Sequence, residues 1–409
     1  ELESCVSVAE NVHIKDGVVD DSGLGLSPED REFIANESGV HIERGVRLEE
    51  NVVVKGAVRI GRGSLVRAGS VVQRDLPAYC IAEGNPVRVS AAFSPKAGKW
   101  LPAAGEKALK KLLAEREKTP PLLTVAFITY NRSKYLKRSL PCVLNQLGND
   151  ALAEVLVSDN ASTDDTRAFV EGLQKTYGNL RCHCNEKNIG AEGNIHRAVK
   201  ASRGEYVLVA GDDDCFVDGS LHALLTNIIR YRGVSLFYLG NEKIPRRVYT
   251  GTGCLQYIAL VSYYMARLTR VVMRRELYAH IPKPQKYDAS RISQVYLQME
   301  MLKQRPDFAV LHGAFFAEGC GDHQPKGYNF AEVFIKNYFD ILMEEADIPP
   351  EQLAAEKKRV LEQSILPWCR RIKEDHIGLS LEGIFDIVAA YYGKEPYYAQ
   401  LVGLLKELL

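Results

Sequence analysis

The stretch YVLVAGDDDCF, residues 206–216, runs an apolar, β-branched segment straight into three consecutive carboxylates, Asp212, Asp213 and Asp214. An apolar run of strand length that ends in a polar cluster reads as a buried strand with its carboxyl end open to solvent or ligand. The same pattern occurs upstream in LLTVAFITYN (122–131), AEVLVSDN (153–160) and LRCHCNE (180–186). Between these runs lie helical stretches at 164–177 and 191–202, with Asp164 placed to cap the first. Strand–helix alternation of this kind predicts a parallel, right-handed, doubly wound sheet. Ligands of such sheets bind beyond the carboxyl ends of the strands. TYN, SDN and GDDD all fall at those ends.

At 409 residues the chain has room for two or three domains. Apolar content of 46% and charged content of 25% are those of an ordinary globular protein. The 52 Lys+Arg balance the 52 Asp+Glu, so no global field favours nucleic acid, and none is expected as a partner. No segment approaches a membrane span, and ELESCVSVAENV has neither the basic start nor the apolar stretch of a signal peptide. A cytoplasmic location follows as the expectation, with peripheral contact on the inner face of the membrane as its extension. Nine cysteines without framework spacing point to a reducing compartment, most of them serving as small buried apolar residues. The CHC at 182–184 reads as alternating strand positions, since no second ligand pair follows at zinc-finger spacing.

Residues 42–72 carry a repeat. Ile42, Leu48, Val54, Ile60, Val66 and Val72 recur every six residues, and Val46, Val52, Val58, Ser64 and Ser70 sit four places after the first five. A period of six is neither helical nor simple strand alternation, and fits a three-sided coil with one hexapeptide per side. Val8 and Ile14 keep the spacing ahead of a polar insertion near 20–40. The segment VRIGRGSLVRAGSVVQRDLPAYCIAEGNPVRV (58–89) resembles the closing coils of the hexapeptide-repeat acyltransferases, with GNPVRV as the mark. That resemblance implies a short left-handed parallel β-helix over residues 1–92, a homotrimer, and in working members acyl-CoA between prisms with a histidine base. The chain departs from the pattern in having few coils, and His13 and His41 sit in no clear copy of the catalytic loop. A trimerisation domain is therefore expected. Residues 93–119 read as a linker with a short amphipathic helix, Leu109, Leu112 and Leu113 sharing one face.

Three adjacent acids at a strand end serve as a solvated turn or a helix cap unless a cation offsets their repulsion. A hard divalent ion takes oxygen ligands, commonly one or two carboxylates completed by substrate phosphates. The segments FITYNRSKYLKRSLPCVLNQ (127–146), EVLVSDNASTDDT (154–166) and NEKNIGAEGNIHRAVKASRGEYVLVAGDDD (185–214) are similar in order and spacing to the family 2 glycosyltransferases. The resemblance implies a multidomain chain. A GT-A domain of Rossmann-like nucleotide-diphospho-sugar transferase type spans 120–328, and an α-helical C-terminal region spans 329–409, with Val333, Phe334, Tyr338 and Ile341 at helical spacing.

It also implies roles for individual residues. Thr129, Tyr130, Asn131, Arg132, Asp159 and Asn160 would cradle the nucleotide base and ribose. Asn188, Gly190 and Asn194 would lie near the diphosphate and donor sugar. Asp214 would hold Mn2+ or Mg2+, with Asp213 close to both ribose and metal and Asp212 in support. The family's acidic pair before a late helix is absent from TRVVMRRELYAHIPKPQKYDASRISQVYLQMEML (269–302). Asp288 is the nearest candidate catalytic base because it would open the helix from Ala289 onward, with an N-cap as the alternative reading, ahead of Glu300 and Asp322. Arg274 and Arg275 would meet diphosphate or form a surface pair, and His323 would lie in a Gly-rich lid. The implied activity is inverting transfer from a nucleotide-diphosphate sugar, a UDP-sugar favoured, to a glycan or lipid-linked acceptor. A bifunctional glycosyl- and acetyltransferase and a non-catalytic trimeric scaffold are the rival readings.

Overall fold

The computed structural model describes residues 6–10, 12–15, 17–19, 33–35, 39–240, 244, 247–317 and 327–409. It divides into two compact units. Unit 1 comprises Glu1–Leu122, Asp150–Leu152 and Val217–Arg232, and unit 2 comprises Leu123–Asn149, Ala153–Phe216 and Gly233–Leu409.

In unit 1, short strands from His41 onward recur at six-residue spacing, and three of them pair in parallel with the one eighteen residues on. His41 lies opposite Arg59, Arg47 opposite Leu65, and Val53 opposite Val71. The pairs fall into three separate sheets, one per side of the coil. Ile42, Leu48, Val54, Ile60, Val66 and Val72 are all fully buried, as their period requires. Ser64 and Ser70 are tolerated inside because each hydroxyl donates to a backbone carbonyl, Pro77 O at 2.9 Å and Arg67 O at 2.6 Å. His13 and His41 belong to different sheets, so the two histidines share no side of the coil.

Residues 93–119 differ from the expected linker. Strand Arg88–Ser94 pairs antiparallel with both Cys80–Glu83 and Lys99–Pro102, extending one sheet of the coil. The helix Glu106–Lys118 then lays Leu109 and Leu112 on the coil's core. Arg116 fastens that helix, its guanidinium donating to the carbonyls of Ala78, Tyr79 and Phe93 at 2.7, 3.3 and 2.9 Å. Pro and Gly at the ends of the segment disguised a sheet edge as a connection.

Unit 2 opens with β1 (Leu123–Thr129), α1 (Ser133–Leu147), β2 (Ala153–Asp159), α2 (Thr166–Gln174), β3 (Leu180–Cys184), α3 (Gly190–Ala201) and β4 (Tyr206–Gly211). There follow β5 (Leu236–Leu239), β6 (Arg247–Thr252), α4 (Cys254–Val261), β7 (Val271–Arg274), α5 (Arg275–Ala279), α6 (Ser293–Gln304) and β8 (Asp307–His312). The sheet order is β3-β2-β1-β4-β7-β5-β8-β6. The first four strands are parallel, as expected. The later half is mixed, because β7 runs antiparallel to β4 and β5, and β6 antiparallel to β8. Helices still intervene after β4, β6 and β7, but strand direction reverses at β7 and β6, so the expectation of a parallel sheet holds only for its first half.

The helical C-terminal region holds α7 (Tyr338–Glu345), α8 (Pro350–Val360), α9 (Leu366–Glu374), α10 (Ile384–Tyr392) and α11 (Tyr398–Leu408). Val333, Tyr338 and Ile341 are buried, and Phe334 packs half-buried beside them. One hydrophobic core runs continuously from Val209 and Met273 of the sheet to Val360 and Tyr392 of these helices. Six described cysteines are free thiols, whereas Cys215 is disulfide-bonded, a pairing the reducing-compartment reading did not anticipate. Cys182 and Cys184 alternate along β3 with Sγ atoms 3.7 Å apart.

Candidate active site

The parallel half of the sheet delivers three strand ends to one edge. Beyond β1 the chain turns through Asn131, at φ 53°, into α1. Asn131 accepts the Thr163 amide at 2.7 Å, and its own amide donates to Ser162 Oγ at 2.9 Å. Asp164 accepts the first amide of α1 (Ser133) and the first of α2 (Thr166), both at 3.0 Å. One carboxylate therefore caps two helices, and the expected cap on α2 was half of its work. These bonds lock the loops after β1 and β2 side by side.

Asp159 is buried at the end of β2, with Oδ1 accepting the Ser162 amide at 3.0 Å. Next to it Asn160 is a hub. Its Nδ2 donates to Asn188 Oδ1 (2.8 Å) and Gly190 O (3.1 Å), and its Oδ1 accepts from Asn185 Nδ2 (2.9 Å) and the Ile189 amide (3.0 Å). Asn160 thereby shapes the loop that leads into α3, where Gly190 takes a φ of 79° that a side chain would strain. Asn194 departs from its expected role beside the diphosphate. It is 2% exposed, its Oδ1 accepts from Ser158 Oγ (2.7 Å) and Asn185 Nδ2 (3.1 Å), and its Nδ2 donates to Ser158 O (2.9 Å). Its place in the fold is to hold α3 against β2. Tyr130, Asn131, Asn188 and Gly190 are the exposed members of the set.

The acidic triplet after β4 is not three equivalent acids. Asp212 is buried, accepting Thr129 Oγ1 at 2.8 Å and Arg132 Nε at 2.7 Å. Burial pushes its carboxyl up to about 6, against the pull of the Thr129 hydrogen bond and Arg132. Arg132 also donates to Asp213 Oδ2 at 2.7 Å, so a single guanidinium offsets two of the three charges. Asp214 turns back onto its own strand, its Oδ2 accepting the Gly211 amide at 2.9 Å and Thr269 Oγ1 at 2.5 Å. Burial raises its pKa above the ordinary carboxylate value, opposed by the Thr269 and Gly211 bonds.

Gly211 explains why the triplet is preceded by glycine. A Cβ there would lie 2.9 Å from both Asp213 Oδ1 and Asp214 Oδ2, so the two carboxylates converge on the space that the missing side chain leaves open. A divalent cation fits this donor set, since Asp213 keeps Oδ1 clear of Arg132 and Asp214 is a half-buried acid whose Oδ2 is bonded to an amide and a hydroxyl. Among the described residues no group of three or more His, Cys, Asp or Glu is arranged to hold a metal. The two carboxylates would thus need oxygens from a ligand to complete a coordination shell.

Asp288 neither caps nor opens a long helix. It begins a single turn, Asp288–Ser290, and α6 starts later at Ser293. Its Oδ1 lies 2.8 Å from His196 Nε2 on α3. Glu300 is committed to Lys303 at 2.6 Å. Arg274 and Arg275 lie at the opposite end of β4, where Arg274 pairs with Glu205 at 3.0 Å and Arg275 donates to Gly204 O at 2.9 Å. They are therefore remote from the carboxyl edge. Asp322 and His323 fall outside the described residues. Sequence reading missed Thr269, Ser162 and His196, which are single residues without motif context.

At this sheet edge a loop cradle beyond β1 and β2 and the paired carboxylates after β4 come together. Residues 124–250 match glycosyl transferase family 2. The abequosyltransferase RfbV of Salmonella typhimurium is 24% identical over 226 residues, 49% of this chain and 62% of that protein. A GalNAc(5)-diNAcBac-PP-undecaprenol beta-1,3-glucosyltransferase of Campylobacter jejuni is 33% identical over 106 residues, 26% of this chain and 34% of that protein. The chain thus spans less than two thirds of the length of these curated relatives. Among solved structures, S. aureus TarS 1–349 in complex with UDP-GlcNAc gives a TM-score of 0.46 at 19% identity, over 69% of this chain and 83% of that one. The coil region aligns with a maltose O-acetyltransferase from Clostridium difficile at 31% identity and a TM-score of 0.18, over 20% of this chain and 43% of that one.

Proposed function

We propose that the chain is an inverting, divalent-cation-dependent glycosyltransferase that moves a sugar from a nucleotide diphosphate to a glycan or lipid-linked acceptor in bacterial surface polysaccharide synthesis. The observation that carries this reading is the convergence of Asp213 Oδ1 and Asp214 Oδ2 over Gly211, beside the Asp159–Asn160 cradle. The family 2 match over 124–250 and the names of the two curated relatives support the reaction class and the polysaccharide setting.

Each residue then has work to do. Asp159 keeps Oδ2 for the imide N–H of a uracil-like base, which favours a UDP-sugar. Tyr130 offers an exposed ring at the cradle's lip. Asn188 and the Gly190 turn border the diphosphate at the start of α3, where backbone amides suit an anion. Asp213 and Asp214 would hold the cation, which when bound acts as a Lewis acid on the departing diphosphate. Arg132 keeps Asp212 and Asp213 from repelling each other while the site is being filled. Asp288 is the base that takes the acceptor's proton.

Thermal-shift screening of nucleoside diphosphates with manganese tests the reading. A ligand that binds the folded state raises stability by mass action, about 2.7 kcal/mol at a hundredfold excess over Kd. UDP with Mn2+ is expected to raise the melting temperature, and an unchanged melting temperature with every nucleotide would overturn the proposal.

A further inference from the structure

The helix α3 serves two places at once. Its N-terminal turn, through Asn188, Gly190 and Asn194, is tied into the nucleotide cradle by Asn160, Asn185 and Ser158. Farther along the same helix, Glu192 and His196 bind the segment that carries the candidate base. Glu192 Oε2 accepts Ser293 Oγ at 2.9 Å, and His196 Nε2 lies 2.8 Å from Asp288 Oδ1.

His196 is 5% exposed, and both of its ring nitrogens are engaged. Nδ1 lies 2.6 Å from Tyr278 Oη, and Tyr278 is itself buried. The donor sense follows from chemistry. An ionised carboxylate only accepts, so Nε2 carries hydrogen and donates to Asp288. In the neutral ring Nδ1 is then bare and accepts the Tyr278 hydroxyl hydrogen. Burial, and after it the charge of Asp288, raises the Tyr278 phenol and keeps that hydrogen in place. The chain Tyr278–His196–Asp288 is thus a directed relay of hydrogen bonds that ends on one oxygen of a carboxylate whose side chain is 29% exposed. Asp288 Oδ2 has no protein partner among the described residues.

A buried histidine with two partners is commonly only a satisfied core residue. This one is different because its carboxylate partner sits on a single helical turn with a second oxygen unspent. We propose that His196 is a positioning residue for the transfer reaction: through Nε2 it fixes Asp288 in the orientation from which Oδ2 takes the acceptor's proton. This rests on the reading of Asp288 as base. In that step the acceptor O–H bond breaks, with the proton going to Asp288. The oxygen bonds the anomeric carbon, and the anomeric C–O bond breaks with its electron pair leaving on the diphosphate. Because α3 also shapes the donor cradle, the base is registered to the donor through one rigid element.

The test uses the full chain, Mn2+, and whichever UDP-sugar of a panel the wild type hydrolyses fastest, water standing in for the acceptor. His196→Leu is expected to lower kcat about tenfold while KM for the UDP-sugar stays within about twofold, the pattern of a group acting on the reaction step rather than on donor binding. His196→Gln, whose amide reaches the Nε2 position, is expected to recover most of that loss. In an Asp288→Asn background His196→Leu should cost nothing further, because a residue that acts through another shows full coupling with it. Tyr278→Phe, which leaves the imidazole in place, should reproduce a weaker form of the same pattern and serves if His196→Leu fails to fold. The inference is overturned if His196→Leu and Tyr278→Phe keep wild-type kcat, or if they lose the same factor in the Asp288→Asn background. Should Asp288→Asn itself retain wild-type kcat, the base assignment fails and this inference falls with it.

Discussion

At the scale of single residues, the site is a problem of charge placed where water is scarce. Three adjacent carboxylates would repel, yet each is handled differently. Asp212 is paired with Arg132 and accepts from Thr129, Asp213 shares Arg132, and Asp214 leans on the Gly211 amide and Thr269. Only the last two carry oxygens that face the gap over Gly211. Asp214→Ala is therefore expected to reduce manganese-dependent transfer by about 10²-fold or more, the scale of removing one electrostatic stabiliser of a transition state. Light scattering should show its oligomeric state unchanged. A variant that retained full activity would remove Asp214 from the site.

At the scale of elements, helices are held by polar side chains at positions that no helical period predicts. Asp164 caps α1 and α2 together, Asn160 and Asn194 pin α3, and Glu356 on α8 is 2% exposed. Glu356 Oε1 accepts Tyr338 Oη at 2.8 Å and Ser262 Oγ at 2.6 Å. Burial raises its pKa above the model-peptide value of 4.5, against the pull of the Ser262 and Tyr338 bonds. With the folded pKa the higher one, the folded state holds the proton more tightly than the unfolded chain. Stability linked to Glu356 is thus greatest below pH 4.5 and is lost as pH rises through the folded pKa. Glu356→Gln keeps an acceptor for both donors and removes this titration. Thermal melts should find the variant more stable than wild type at pH 7, with the advantage shrinking toward pH 4.5. An advantage that does not change with pH would contradict the burial argument.

At the scale of the whole molecule, two units of unlike construction share one chain, and unit 1 takes in Asp150–Leu152 and Val217–Arg232 from within the segment 124–250. Those residues fasten to it by ordinary means. Asp218 pairs with Arg44, and Asp150 accepts the Tyr79 hydroxyl at 2.5 Å and faces Arg62 at 3.6 Å. Among the described residues no helix is long and apolar enough to cross a membrane. The coil's resemblance to trimeric transferases leads to a concrete expectation, that light scattering of the intact chain gives a mass three times that of the protomer. A monomer across the micromolar range would refute the trimerisation role.

The sequence by itself determined whatever is periodic or terminal. The six-residue repeat picked out Ile42, Leu48, Val54, Ile60, Val66 and Val72, all of which are buried. The first four strands and their polar ends fixed the sheet edge where the site lies. Residues 93–119 were misread because Pro and Gly mark turns within a sheet as readily as they mark linkers. The second half of the sheet was illegible because strand direction reverses there, with β7 antiparallel to β4 and β5 and β6 antiparallel to β8, a choice no local pattern announces. Only the tertiary structure decided which acids are neutralised, that Asn194 is a fastening, and that Asp288 answers to a histidine 92 residues earlier. Those outcomes depend on distances between residues far apart in the chain, which no local pattern encodes.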